Sequence, residues 1–213
     1  MAISFAGRKR ASSTALRDAL ARAVDDPEAR LVRSANGVTV VRDARPERDP
    51  RDDAEQLRKR VGSELGDDVS AGVAGPKPGT SGAHFALLQA EHALTIGRGL
   101  NGHGHTVHFD DLGPYCFVLN QPTTDIRAFF ERILGPLAAE PRHEPLFDTL
   151  EAYLRSGGSA NAVARQLFLH RNTVRHRLRR IAKLTGADLS DPDTRLALQL
   201  AILGRRALAQ IAS

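Results

Sequence analysis

At 213 residues the chain is long enough for one large domain or two small ones and can bury a real core. Its single cysteine, Cys116, excludes an intramolecular disulfide; no apolar stretch approaches membrane-spanning length, and the N-terminus MAISFAGRKR puts its charges after a short apolar run, unlike a secretory signal. A net charge of +5 and a pI near 10.0 favour an anionic partner, and a soluble, cytoplasmic protein that does not enter membranes is expected.

In chain order, Ala2 to Phe5 alternates weakly, as a strand does. Ser13 can cap a helix whose inner face is Leu16, Ala19, Leu20, Ala23 and Val24. RLVRSANGVTVVRD then offers two β-rich runs on either side of Asn36-Gly37, a favoured two-residue hairpin turn. Asp43 to Asp53, charged and carrying Pro46 and Pro50, reads as a surface loop. Ala54, Leu57, Val61 and Leu65 mark a helix, Asp68 to Ala74 a short strand, and Gly75 to Gly82 a Pro/Gly-rich loop. A longer helix covers Ala83 to Ile96, followed by a Gly-rich turn and a strand near Thr106 to Phe109. This order predicts a small α+β domain with helices over an antiparallel sheet. Pro114 to Leu137 holds the apolar segment YCFVL and a helix with Ile126, Phe129, Phe130, Ile133 and Leu134 on one side; the two phenylalanines suit core packing better than a ligand cage. Gly135, Pro136, Pro141 and Pro145 punctuate a junction.

The C-terminal part is helical by pattern. A first helix has Leu146, Leu150, Tyr153 and Leu154 inward and ends at Gly157-Gly158. Asp191 caps a last helix with Pro192 in its first turn, and Leu196, Leu200 and Leu203 are expected to close a bundle of four to five helices. Between them, Ser159 to Leu184 contains no Asp or Glu but carries Arg165, Arg171, Arg175, Arg177, Arg179, Arg180 and Lys183. Ala164 and Leu167 give one short helix its inner face, and Leu169 enters the next segment. Val174, Leu178 and Ile181 continue a stripe on a second helix expected to stop at Gly186. At about 100° per residue, Asn172, His176, Arg179 and Lys183 lie opposite that stripe, and Thr173 and Arg180 border this outer face. A cationic face with interspersed hydrogen-bonding groups suits a DNA major groove: charge supplies affinity and donors and acceptors read base edges.

The run from Leu146 to Ile202, with the block His170, Arg171, Asn172, Thr173, Val174, Arg175, Arg177, Leu178, Arg179, Arg180, Ile181, closely resembles the C-terminal DNA-binding domain of the PucR/CdaR family of bacterial transcriptional regulators. Phe168 stands where a generic helix-turn-helix often has Gly, and the resemblance implies the tighter-packed turn of this family and its Fis-like relatives. The element order over Ala2 to Gly113, with SAGVAGPKPGTSGAHFALLQAEHALTIGRGL and VHFDDLG, resembles the degenerate GGDEF-like domain that precedes the DNA-binding domain in such regulators. An active diguanylate cyclase carries carboxylates at its hairpin turn; this hairpin reads Ser34, Ala35, Asn36, Gly37, Val38, so no cyclase activity is expected. The fold class is thus α+β: a small GGDEF-like α/β sandwich over 1–113, a connecting helical segment over 114–142, and an all-α Fis-like helix-turn-helix domain over 143–213.

Other patterns carry less. Gly97, Gly99 and Gly102 match a GxGxxG fingerprint, but with a helix before and a strand after, the reverse of a dinucleotide site. His103, His105 and His108 near Asp110 and Asp111 have the residue types of a metal site but not its strand geometry, and Cys116 lacks the basic neighbours of a nucleophile. No catalytic residue, metal or cofactor is assigned.

The expectation is a sequence-specific, non-enzymatic regulator of double-stranded DNA: Asn172, His176 and Arg179 on base edges, and Arg165, Arg171, Thr173, Arg175, Arg180 and Lys183 on phosphates. Asn172 and His170 could instead cap the helix, and Arg177 could pair with Asp148 or Glu151 or reach a phosphate. A homodimer or higher oligomer is expected, because one motif makes few contacts. The resemblance implies activation of catabolic or secondary-metabolism genes. It also implies an effector-sensing domain, with the chain either a fragment or a short regulator whose signal arrives through another chain. A nucleotide-binding or nucleotide-processing domain with an attached helix-turn-helix, supported by Asp110 and Asp111, is the alternative; a non-specific architectural DNA binder is a third.

Overall fold

The computed structural model describes residues 1–8, 12–34, 36–44, 47–79 and 81–212. Ala35 of the expected hairpin tip and Pro46 of the expected loop lie outside them. The chain divides into two compact units, Met1–Leu119 (with the last residues from Gln210) and Asn120–Ala209.

The first unit contains β1 (Ala2–Ala6), α1 (Ser13–Ala23), β2 (Arg30–Ser34), β3 (Gly37–Val41), α2 (Pro50–Leu65), β4 (Ser70–Ala74), α3 (Gly82–Asn101), β5 (Thr106–His108), a 3-10 turn at Phe109–Leu112 and α4 (Pro114–Leu119). The strands are ordered β2-β3-β1-β4-β5. The sheet is mixed, not antiparallel throughout, because β4 and β5 run parallel. The 20-residue α3 between them forms a crossover, and a crossover returns the chain in its starting direction. β1 is central and buried along its whole length. Its Ile3 and Phe5 join Leu16, Leu20, Leu57 and Val61 of α1 and α2 in one core. Ala2 joins Ala74 of β4 and Ala86 and Ala90 of α3 in a second, thinner one. The small residues let α3 lie close to the sheet: a Cβ on Gly72 would stand 2.2 Å from the Ala90 carbonyl oxygen and from Leu94 N. The result is a three-layer α/β sandwich within an α+β chain.

Four boundary expectations are corrected here. The cap of α1 is Ser12, whose Oγ accepts from Ala15 N at 3.1 Å, not Ser13. Residues 50–53 belong to α2: Pro50 opens it, Asp49 caps it through Arg51 N, and Asp52 and Asp53 suit the positive end of the helix dipole. Ser34 pairs with Gly37, so Gly37 lies in β3 and not in the turn. Glycine stands there because a Cβ would meet the Phe5 carbonyl oxygen at 1.9 Å, a demand of the neighbouring strand and not of the turn. Helix α3 runs on through Gly97 and Gly99, and the Gly97 position presses against Val107. The apolar YCFVL segment falls within α4, where the Cys116 thiol donates to Phe109 O at 2.8 Å and burial raises its pKa.

The second unit contains α5 (Thr123–Leu134), α6 (Pro136–Ala139), a 3-10 turn at Pro141–His143, α7 (Glu144–Arg155), α8 (Ala160–Gln166), α9 (Arg171–Thr185) and most of α10 (Pro192–Ala212). Phe130 is buried in α5, while Phe129 is half-buried with the Arg132 guanidinium 5.7 Å from its ring centre. Asp191 accepts from Thr194 N at 2.7 Å and so caps α10. The expected inner stripe of α10 is shifted: Leu196 is exposed and Leu200 and Leu203 are half-buried, while Leu198, Ala201 and Ile202 are buried. This helix is apolar on several sides, so spacing alone could not fix its phase.

Candidate nucleic-acid interface

Helices α7, α8 and α9 share one small core. Ala152, Val163 and Val174, one from each helix, are buried together, and Tyr153, Ala160, Ala164, Leu167, Leu169 and Leu178 pack around them. Val163, which the sequence reading left out, is the buried residue of α8. Gly157 and Gly158 take left-handed backbone after α7, and Ser159 caps α8 by accepting from Ala162 N. Gly186 ends α9 at φ 69°.

The cap of α9 is His170: its Nδ1 accepts from Asn172 N at 3.3 Å. His170 and not Asn172 is therefore the cap; Asn172 stands in the first turn and is exposed. Arg177 meets neither Asp148 nor Glu151. Its Nη1 donates to Pro145 O at 3.3 Å and to Thr149 Oγ1 at 3.1 Å, and the Thr149 hydroxyl donates to the same carbonyl at 2.8 Å. Glu151 is taken by Arg206, and Glu144 by Arg205, whose guanidinium also lies 4.2 Å from the Phe147 ring centre. Arg177 therefore ties α9 to α7 instead of facing outward.

Val174 and Ile181 of α9 are fully buried, with Leu178 half-buried between them. Asn172, His176, Arg179 and Lys183 are exposed, as are Arg171, Thr173, Arg175 and Arg180, and so is Arg165 at the end of α8. Among the described residues, Arg165, Arg171, Arg175, Arg179, Arg180 and Lys183 enter no ion pair, in contrast to Arg205 and Arg206. Fifteen residues make α9 about 22 Å long, and a helix fits the width of a DNA major groove. Its outer face is thus a row of unneutralised cations with Asn172, Thr173 and His176 among them.

Phe168, in the turn before α9, is not packed against the helices. Its φ of 54° is left-handed and its side chain is 95% exposed. Leu169 N donates to Ala164 O at 2.9 Å and Phe168 N to Arg165 O at 3.4 Å, the bond pair of a Schellman ending with Phe168 in the place that normally holds glycine.

In the first unit, the histidines near β5 diverge. His103 Nδ1 lies 3.1 Å from Arg98, His105 is exposed, and buried His108 accepts from Asp110 N through Nδ1. Asp111 is held by Arg51, which lowers the pKa of its carboxyl.

Comparison with known proteins agrees with these two units. Residues 146–203 match the PucR C-terminal helix-turn-helix domain and residues 1–96 the GGDEF-like domain. An uncharacterized protein of Mycobacterium tuberculosis is 36% identical over 131 residues, covering 61% of this chain and 31% of that protein. The purine catabolism regulatory protein of Bacillus subtilis is 28% identical over 155 residues, 71% of this chain and 29% of its own length. The carbohydrate diacid regulator of Escherichia coli is 46% identical over 54 residues, 25% of this chain and 14% of that one. The chain thus spans under a third of the length of these relatives. With both domains matched in this order, the chain carries a GGDEF-like domain followed by a PucR-type helix-turn-helix domain, and is similar over these parts to regulators of the PucR/CdaR type.

Proposed function

We propose that the chain is a sequence-specific transcriptional regulator that binds double-stranded DNA through α9 and has no enzymatic role. The observation that carries this is the outer face of α8 and α9, where six exposed cations stand outside any ion pair of the described residues and no acid occurs between Ser159 and Leu184. Phosphate attracts such a surface, and an acid within it would oppose binding. Asn172, His176 and Arg179, on the face opposite the core, reach base edges. Arg165, Arg171, Thr173, Arg175, Arg180 and Lys183, on the flanks and at the ends, meet phosphates. Two copies place two such helices on half-sites about one helical turn apart, ~34 Å. The domain plan is a GGDEF-like part over 1–113 that relays a signal or dimerises, a connecting segment over 114–142 and the DNA-binding part over 143–213. Similarity to regulators of purine and carbohydrate diacid catabolism supports a catabolic or secondary-metabolism target in the cytoplasm, acting as an activator under an effector sensed elsewhere. The test is binding to a duplex selected from a random pool against a scrambled duplex. Preference for the selected duplex that Arg179→Ala abolishes supports the reading; equal binding of both duplexes by the wild type refutes it.

A further inference from the structure

Phe168 breaks two local rules at once. Among the described residues it is the non-glycine residue with left-handed φ, a conformation that a β-carbon disfavours by about 1–2 kcal/mol. It also leaves its ring in water: Phe117, the next most exposed large apolar residue, is 66% exposed against 95%. A residue that is unfavourable both as backbone and as burial in the folded chain gains in some other state, and strained residues concentrate at functional contacts.

The surroundings indicate which contact. Phe168 lies two residues before the cap of α9, at the end of the helix that enters a groove in helix-turn-helix docking. Exposed Arg165 and Arg171 flank it three residues away on either side, and exposed Gln166 and His170 lie between. An apolar protein surface docked there would have to bury those unpaired guanidiniums. DNA offers phosphates for the guanidiniums and, between them, the apolar faces of deoxyribose and the thymine methyl group for the ring. We propose that Phe168 is a DNA-contacting residue, its ring lying on sugar and thymine-methyl surface at the edge of the groove that α9 enters, between phosphates held by Arg165 and Arg171. The proposal rests on the DNA-binding reading above and adds an uncharged contact to it.

Phe168→Asn is the informative variant, because asparagine tolerates left-handed φ and removes the ring without changing charge. The purified full chain is titrated onto the selected duplex by fluorescence anisotropy across a salt series, with thermal unfolding measured in parallel. The expected result is an affinity about tenfold lower, the size of one lost aromatic contact to nucleic acid, with an unchanged salt slope and an equal or higher melting temperature. Phe168→Tyr keeps affinity within about twofold. Phe168→Asn binding as tightly as wild type overturns the contact while leaving the regulator reading intact. Lost affinity together with a lowered melting temperature also overturns it, by tracing the effect to folding. A wild type that binds no duplex overturns the regulator reading and this contact together.

Discussion

Five of the exposed cations, Arg165, Arg171, Arg175, Arg180 and Lys183, are assigned to phosphates, which fixes a salt dependence before any operator is known. Each neutralised phosphate contributes about −0.9 to the slope of log K against log salt, so one copy on B-DNA gives about −4.5 and a dimer on two half-sites about −9. Between about 50 and 200 mM salt, one copy then loses roughly 500-fold in affinity. Lys183→Ala should reduce the slope by about 0.9 per copy and weaken selected and scrambled duplexes alike. Arg179→Ala should cost about 1–3 kcal/mol on the selected duplex and much less on the scrambled one, since a base contact carries preference and a phosphate contact does not. Anisotropy titrations at several salt concentrations read both quantities. A single-copy slope of magnitude below about 2, or a Lys183→Ala slope equal to wild type, would refute the reasoning, because the cations would then not be meeting phosphates.

Three further outcomes concern the GGDEF-like domain. Arg42 and Asp53 form a buried ion pair, both side chains almost wholly out of water, so Asp53→Ala should destabilise the domain by about 3–5 kcal/mol in denaturant unfolding by leaving a buried guanidinium without its carboxylate. Gly72→Ala should cost about 3 kcal/mol or more, because the added methyl would overlap the α3 backbone at Ala90 and Leu94, which no rotamer change relieves. Glu55 is pulled down to about 2 by the Arg58 guanidinium hydrogen-bonded to it, with Thr106 donating at 2.6 Å. A carboxyl with a lowered folded pKa stabilises the fold fully above its ordinary value of 4.5, and that stability is lost as pH falls from there through about 2. With a third of the side chain exposed, screening leaves about 1 kcal/mol at stake. Glu55→Gln should therefore flatten the acid limb of a stability–pH curve; a curve unchanged in that window would show the pair to be inconsequential.

The order of elements in the first unit was legible because each carried its own period: alternation in β1, a 3.6-residue stripe in α1 and α2. What was not legible was what one element demands of another. Gly37 looked like a turn glycine because Asn-Gly is a turn signal, yet its lack of a side chain serves the Phe5 carbonyl on a strand far away in sequence. The direction of β5 depended on α3 acting as a crossover, and helix length, not strand composition, held that information. Pro50, Asp52 and Asp53 read as loop residues by composition, although they open α2.

The cationic surface of α8 and α9 was legible for a different reason. A surface that meets phosphate needs cations and must exclude acids, and an exclusion over a whole stretch survives an error of a residue or two in helix bounds. The face from Asn172 to Lys183 also followed from Val174 and Ile181, because a helix buried along one stripe leaves its opposite side in water. Arg177 escaped this logic. Counted among the cations by charge, it donates to a carbonyl and to a buried hydroxyl on α7, so its charge serves to orient the helix. Composition can therefore count the cations of such a surface but not divide them between holding and reading. The division lies in what each side chain finds on its own protein: Arg177 finds Pro145 and Thr149, whereas Arg179 finds no ion pair among the described residues and is left to the solvent side, where a ligand would be.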